Sequence, residues 1–357
     1  MKNLFLLYLL CFTPFLFAQK IDISELEQII DEHLQNHQFS GTVLIAEQGE
    51  ILLQKTNGVQ SLTCQTPIQD QSPFAIASIT KMLTALVVLQ LVEEGKINLG
   101  ATLAEYLPEW ELPKAKKITI HHLLLHISGL PNEPDLSYLQ ANAPKTMVQM
   151  ALSNKGKNRF GDYNYNNIDY LLLGEIIERV SGSSWQNQIQ NRIIQPLNLE
   201  QTGFLAKDQY PENFAYPFQV NEAGESKADP LFYIENFGAA ASMFSTASDL
   251  LKLDQAMYQE DFLSENSRKL MFKSYPEYNY TGYSVWTYRY PFVDSQPLVM
   301  ERRGGILGAN VVLIRLLEKN QSIIILSNNN RFNPDSFGDA NNLREALIRA
   351  ICPKQGE

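Results

Sequence analysis

The chain has 357 residues, of which 45% are hydrophobic, so it can bury a sizeable core as one large domain or two ordinary ones. Its formal net charge is -10, with no run of lysine or arginine, which argues against nucleic acid or an anionic membrane as a partner.

Taken in order, residues 1–18 read as a secretory signal peptide and not as part of the fold. Lys2 supplies a short positive region, 4–17 is apolar apart from Thr13 and Pro14, and Ala18 is a candidate last residue before cleavage, although Leu16 is larger than the usual small residue two positions earlier, so the sequence does not fix the cleavage site. Cys11 does not turn this into a lipoprotein signal, because Leu10 before it is too bulky. No later segment approaches the roughly 20 apolar residues of a membrane-spanning helix. The mature chain is therefore expected to be exported, periplasmic or secreted. Two cysteines remain, Cys64 and Cys352; neither lies near a motif, and both are expected to be unpaired, buried thiols.

Ser24-Glu25-Leu26-Glu27 forms a capping box, and Leu26, Ile29, Ile30 and Leu34 follow as a helical stripe. His33 and His37 share that helix at i and i+4; without further ligands they read as a solvated face and not a metal site. Segments 42–47 and 51–54 form a β-hairpin through Gln48-Gly49-Glu50. Next comes a helix that is apolar on nearly every face over 82–92 and stops at Gly95. A helix apolar all round is a buried one. Ser78 and Lys81 stand at its first turn.

From about 100 to 270 the chain reads as helices and loops. A short helix within 120–131 is stopped by Gly129 and Pro131, another spans 168–180 and ends at Ser181-Gly182, and a third begins at Ser248-Asp249. His122 with His126 has no third metal ligand at a useful spacing, and His126 with Ser128 has no acid; a packed histidine is the better reading. After about 275, segments 280–290, 298–302, 310–316 and 322–327 are β-rich, and 342–351 closes the chain as a helix. Strands at both ends around a helical middle predict an α+β fold. One antiparallel sheet, flanked by helices, would be built from 19–100 and 271–357. An all-helical domain, 101–270, would be inserted between them.

At i and i+3 of a helix, Ser78 and Lys81 share a face with Cβ atoms about 5–6 Å apart. A serine hydroxyl becomes a nucleophile when a neighbouring base takes its proton. A lysine can be that base once burial, a helix N-terminus or another cation lowers its pKa. Ser-x-x-Lys is a catalytic pattern of this kind. Alone, the spacing is also that of an N-capping Ser78 beside a solvated Lys81.

Longer stretches narrow the reading. Segments 74–81 and 89–96, the run from His121 to Pro131, Pro196-Leu197-Asn198-Leu199-Glu200-Gln201-Thr202-Gly203-Phe204 and Ser245-Thr246-Ala247-Ser248-Asp249-Leu250 lie in a fixed order. In that order they resemble the serine hydrolase family of class C β-lactamases, DD-peptidases and related esterases. The resemblance covers about 24–350. It implies a β-lactamase/transpeptidase-like fold and acyl transfer through Ser78, with no metal and no cofactor.

The resemblance further implies that Tyr165-Asn166-Asn167 is the family's Tyr-x-Asn motif. Tyr165 would carry protons beside Ser78 and Lys81, and Asn167 would donate its amide to a substrate carbonyl. The other register, Tyr163-Asn164-Tyr165, loses the asparagine. A phenol acts as a base near neutrality when cations depress its pKa, and Lys81 is the cation expected. The third family motif, Lys/His-x-Gly, corresponds to Arg302-Arg303-Gly304, counted back from Gly308. This is a departure. Arg302 keeps the positive field of the usual residue but cannot relay a proton. It is expected to bind substrate, holding a carboxylate bidentately; the bland reading is an exposed arginine pair at a strand end. By the same resemblance, the backbone N–H groups of Ser78 and Gly305 form the oxyanion hole.

Three functions follow. The first is an exported hydrolase acting through a Ser78 ester on a D-amino-acid peptide, a β-lactam or a small ester. The second is a catalytically weak penicillin-binding or sensor protein of the same fold. The third is a structural protein without a reactive serine. The set Ser78, Lys81, Tyr165 and Asn167 favours the first. No feature of the sequence sets an oligomeric state or names the substrate, whose pocket would be shaped by loops at about 132–145 and 207–236.

Overall fold

The computed structural model describes residues 21–36, 38–154 and 158–352. The signal-peptide segment 1–18 and His37 lie outside the described residues.

The chain opens with helix α1, Ile23–Asn36. Leu26 and Ile30 are fully buried, and Ile29 and Leu34 pack at the edge of the same cluster, as the stripe predicts. The cap is Asp22, not Ser24: Asp22 Oδ1 accepts from the backbone N–H of Ser24 at 2.9 Å and of Glu25 at 3.3 Å. An aspartate two residues upstream satisfies the orphan N–H groups first. The hairpin forms as strands β1, Gly41–Glu47, and β2, Glu50–Asn57. Gln48 and Gly49 at its turn both have positive φ.

Helix α2, Thr80–Glu93, is the buried helix; eleven of its 14 residues are buried. Gly95 ends it at φ 69°, a left-handed position where glycine carries no Cβ penalty. Helix α3, Ile168–Ser181, packs against α2, and helix α4, Ala247–Ala256, packs against the sheet. Thr246, not Ser248, caps α4 by accepting from Asp249 N.

The C-terminal part supplies strands β3, Trp286–Arg289, β4, Leu298–Ile306, β5, Ala309–Leu316, and β6, Gln321–Ser327, then helix α5, Leu343–Ile351. The six strands form one antiparallel sheet in the order β2-β1-β6-β5-β4-β3. Both ends of the chain thus build it.

Each central strand divides its side chains between two cores. Leu44, Val311, Leu313, Ile324 and Leu326 face the cluster around α2 and α3. Val43, Ile45, Val312, Ile314, Ile323 and Ile325 face the cluster around α1 and α5. Helices on both faces therefore explain why these strands read as unbroken apolar runs and not as alternation.

The middle of the chain is not all-helical as the sequence suggested. Gly203–Phe204 and Met243–Ser245 join Phe74–Ala75 in a small three-stranded sheet, and Phe218–Val220 pairs with Ser226–Ala228. Strands of two or three residues are too short to show a period-two pattern. Cys64 and Cys352 are both free, but Cys64 is exposed and only Cys352 is buried. No helix among the described residues is long and apolar enough to cross a membrane.

Candidate active site

The site begins at a strained turn. Ala77 has φ 44°, in the left-handed region, and the single 3-10 turn Ala77–Ile79 then leads into α2. Non-glycine residues adopt that conformation only where their surroundings impose it. The surroundings here are tight. Gly304 of β4 lies so close that a Cβ there would come within 2.5 Å of Ile76 O and 3.1 Å of Ser78 N. Only a glycine lets β4 approach the serine turn this closely.

Lys81 is fully buried one turn along. Its Nζ donates to Ser78 Oγ at 3.2 Å, to Asn167 Oδ1 at 2.7 Å and to the carbonyl of Ala240 at 3.1 Å. Burial pulls its pKa below the ordinary 10.5, and the Arg302 guanidinium adds to the fall, while Tyr165 and Glu133 oppose it. The solvated-lysine reading is therefore excluded.

Tyr165 OH stands between two partners. It donates to Ser78 Oγ at 2.8 Å and accepts from Arg302 Nη2 at 2.8 Å. Lys81 Nζ sits 4.9 Å from the centre of the same ring. Burial is the largest single influence on this phenol and raises its pKa. The combined charges of Arg302 and Lys81, together with side-chain hydrogen bonding to Lys81 and Ser78, outweigh it and bring the value down to about 8. Sequence reasoning named Lys81 as the cation; the charge of Arg302 joins it and lowers Tyr165 more than the charge of Lys81 does.

Alternation along β4 separates the two arginines. Arg302 and Gly304 face the serine turn, and Arg302 is 1% exposed, so the strand-end reading fails. Its Nε also donates to the carbonyl of Ser78 at 2.7 Å. Arg303 lies on the other face, where it pairs with Glu301 and with Asp335. Arg302 thus engages the protein's own groups, and a substrate carboxylate would have to use its remaining N–H donors.

Asn167 lies within reach of Lys81, but its amide is turned by a residue that the sequence did not single out. Asn167 Nδ2 donates to Glu133 Oε1 at 2.8 Å. With Oδ1 facing an ammonium and Nδ2 facing a carboxylate, the orientation of the amide is fixed by chemistry. Asn132 Oδ1 anchors the backbone N–H of Asn167 at 2.7 Å. Tyr138 OH also donates to Glu133 Oε1. Glu133 follows Pro131 in a loop without periodicity and meets Asn167 across 34 residues, so no local signal marks it.

Beneath Tyr165 lies a buried polar cluster. Ser128 Oγ donates to Asp169 Oδ1 at 2.5 Å, and Asn166 Nδ2 donates to Asp169 Oδ2 at 3.0 Å. His126 Nδ1 is 3.6 Å from Asp169 Oδ2, and its ring centre is 4.4 Å from that of Tyr165. Asp169, absent from the sequence reading, is the acid that His126 and Ser128 lacked. It still does not make a catalytic triad, because Ser128 and His126 are 0% and 1% exposed. Burial holds His126 well below 6.5, with Lys81 and Arg302 adding to it. Burial drives Asp169 up to about 8, against the hydrogen bonds and the Lys81 charge that favour its anion. The contact is therefore not an ion pair near neutrality. The cluster supports Tyr165 from below.

No group of three or more His, Cys, Asp and Glu that could hold a metal occurs among the described residues. Two residues beyond Gly304 on the same face, Ile306 borders a cavity of about 430 Å³ lined also by Ala75, Leu205, Phe214 and Phe232.

A six-stranded antiparallel sheet packed on a buried helix that starts at a Ser-x-x-Lys pair is the architecture of serine β-lactamases and transpeptidases. The chain belongs to the Beta-lactamase family, whose model matches residues 26–348, and it is a serine hydrolase. It is 29% identical over 317 residues to penicillin-binding protein 4* of Bacillus subtilis, covering 82% of this chain and 69% of that protein. It is 28% identical over 283 residues to the teichoic acid D-alanine hydrolase of Staphylococcus aureus, covering 78% of this chain and 68% of that protein. The D-amino acid amidase of Ochrobactrum anthropi SV3 superposes with a TM-score of 0.78 over 92% of this chain and 97% of that one. At 22% identity this last likeness is one of fold.

Proposed function

We propose that the chain is an exported hydrolase that cleaves D-aminoacyl ester or amide bonds through an acyl-enzyme on Ser78. The observation that carries this reading is the phenol of Tyr165, which meets Ser78 Oγ at 2.8 Å and is brought down to about 8 by two cations. The D-aminoacyl class is supported by the teichoic acid D-alanine hydrolase among the relatives.

In this reading the coupled Lys81/Tyr165 pair takes the proton of Ser78 as Oγ attacks the substrate carbonyl carbon. The C–O or C–N bond to the leaving group then breaks, and the pair returns the proton to that group. Water, deprotonated by the same pair, attacks the acyl carbon of the Ser78 ester; the bond to Oγ breaks, the pair returns the proton to Oγ, and the acid is freed. The backbone N–H groups of Ser78 and Gly305 face the tetrahedral oxyanion, the usual place for preorganised donors in acyl transfer. Asn167 positions the acyl part. Residues 19–100 with 271–357 form the sheet domain in this account, and 101–270 the insertion, as one catalytic unit. Turnover across D-alanyl esters, D-Ala-D-Ala peptides and a chromogenic β-lactam tests the assignment. Ester or amide cleavage that prefers the D over the L enantiomer supports it; cleavage of the β-lactam alone refutes the substrate class.

A further inference from the structure

Arg302 is a buried cation whose polar partners carry no formal charge. It is 1% exposed, and among the described residues it forms no ion pair with a carboxylate. It donates to the Ser78 carbonyl at 2.7 Å and to the Tyr165 hydroxyl at 2.8 Å. Taking a guanidinium out of water is costly unless something else compensates it. Here the compensation is aromatic. Arg302 Cζ lies 5.2 Å from the ring centre of Trp286 and 5.5 Å from that of Tyr165. The two rings are 6.4 Å apart and inclined by 25°. A guanidinium within about 6 Å of a ring centre is attracted to the ring, most strongly by tryptophan.

Trp286 is itself held in place. It opens β3, the edge strand of the sheet, and pairs with Glu301, the residue before Arg302 on β4. Gly282 N donates to Val285 O at 2.7 Å and closes the turn that leads into it. A Cβ on Gly282 would come within 2.4 Å of Met271 O, so this turn packs tightly. Arg303 Cζ is also 5.2 Å from the indole, but Arg303 is tied to Glu301 and Asp335. Trp286 is partly exposed and Arg302 beside it is buried. The indole therefore attracts the guanidinium and separates it from water.

We infer that Trp286 is a positioning residue for the proton pair: it holds Arg302 against Tyr165 and shields that contact from water. The inference rests on Tyr165 acting as a base in the reading above. Tyr165 is faced by Lys81 from α2, by Arg302 from β4 and by His126, with Asp169 behind it, from beneath. Trp286 is faced by Arg302, Arg303 and the Tyr163 phenol. Burial keeps His126 neutral near neutrality and pushes the phenols of Tyr163 and Tyr170 up. Lys81 lies over the rings of Tyr165 and Tyr170, at 4.9 and 5.8 Å. Loss of the indole thus reaches Tyr165 through Arg302.

The test is kcat/KM against pH with a neutral ester, for the wild type, Trp286→Leu, Trp286→Phe, Arg302→Gln and the double variant of Trp286→Leu with Arg302→Gln. Coulomb energy falls inversely with the dielectric, so water that doubles the effective value around Arg302 halves its hold on Tyr165. Removing that charge outright should move the acidic limb by about one to two pH units. Trp286→Leu should therefore raise the limb by about half to one unit, a roughly 3- to 10-fold loss at pH 7 that closes at high pH. Trp286→Phe keeps a ring and should hold most of the wild-type profile. In the Arg302→Gln background, Trp286→Leu should move the limb no further. Trp286→Met, with a longer side chain, is read in the same way if the leucine variant does not fold. A limb that stays in place while the rate falls equally at every pH overturns the inference and makes Trp286 a packing residue. A shift of the same size with and without Arg302 also overturns it, because the indole would then act by another route. A wild type without an acidic limb refutes the Tyr165 reading and this inference with it.

Discussion

Arg302→Gln isolates the role of the cation that replaces the family's lysine or histidine. In the wild type, Arg302 Nη2 lies 2.8 Å from Tyr165 OH, and the phenol is brought down to about 8. Glutamine keeps much of the volume and a donor but removes the charge. A hydrogen bond to a charged group is worth about 1.5–3 kcal/mol, and one pH unit corresponds to about 1.36 kcal/mol. The Tyr165 phenol should then hold its proton to a pH about one to two units higher. Arg302 also lowers Lys81, so that group moves in the same direction. Both members of the pair act in their deprotonated forms, so the acidic limb of kcat/KM against pH should move up by about one to two pH units. At pH 7 the rate should fall roughly 10- to 100-fold, and the gap should close as pH rises past the shifted limb. Arg302→Lys should retain most of the wild-type profile. The assay is kcat/KM from pH 5.5 to 10.5 with a neutral ester, so that substrate charge does not intervene. A loss of equal size at every pH, with the limb unmoved, would refute the electrostatic account and leave Arg302 as a brace for the Ser78 carbonyl.

Other outcomes follow from the same geometry. Tyr165→Phe and Lys81→Ala should each lower kcat by about 10²–10⁴-fold, and the double mutant should be scarcely worse than either, since both hold one proton network; multiplicative losses in steady-state kinetics would separate them. Gly304→Ala places a Cβ within 2.5 Å of Ile76 O; it should cost about 1–3 kcal/mol of stability and depress kcat, read by denaturant melts and turnover, and an undisturbed variant would show that the approach of β4 is not tight. Leu86→Ala, in the fully buried stretch of α2, should destabilise by about 2–5 kcal/mol while leaving the pH profile in place; a shifted profile would mean that α2 does not hold the site rigidly.

Much of this was legible because its signals are local. The continuous apolar run behind Lys81 announced a buried helix, and burial is what lowers the lysine. Residues 298–302 read as a strand, but the run could not say which of Arg302 and Arg303 faces the serine. The alternation of β4, anchored by the close contact of Gly304, decides that. The cap of α1 was misread because Ser24 fits the motif while Asp22, two residues earlier, is the better-placed acceptor. The short strands at 203–204 and 243–245 escaped for lack of length. Glu133 and Asp169 escaped for a different reason. Each acquires its role from a partner tens of residues away, Asn167 for one and Ser128 for the other. A carboxylate in an irregular loop or a helix start carries no pattern that foretells such a meeting.

The central claim is that Ser78, activated by Lys81 and Tyr165, forms a covalent acyl intermediate. Acid-quenched intact mass of the protein caught during turnover of a slow D-alanyl ester tests it directly, with peptide mapping to locate the added mass. The account predicts one acyl group per chain, on Ser78, absent in Ser78→Ala and accumulating in neither Lys81→Ala nor Tyr165→Phe. An acyl group on another residue, or a Ser78→Ala protein that is acylated and turns over at the wild-type rate, would contradict it.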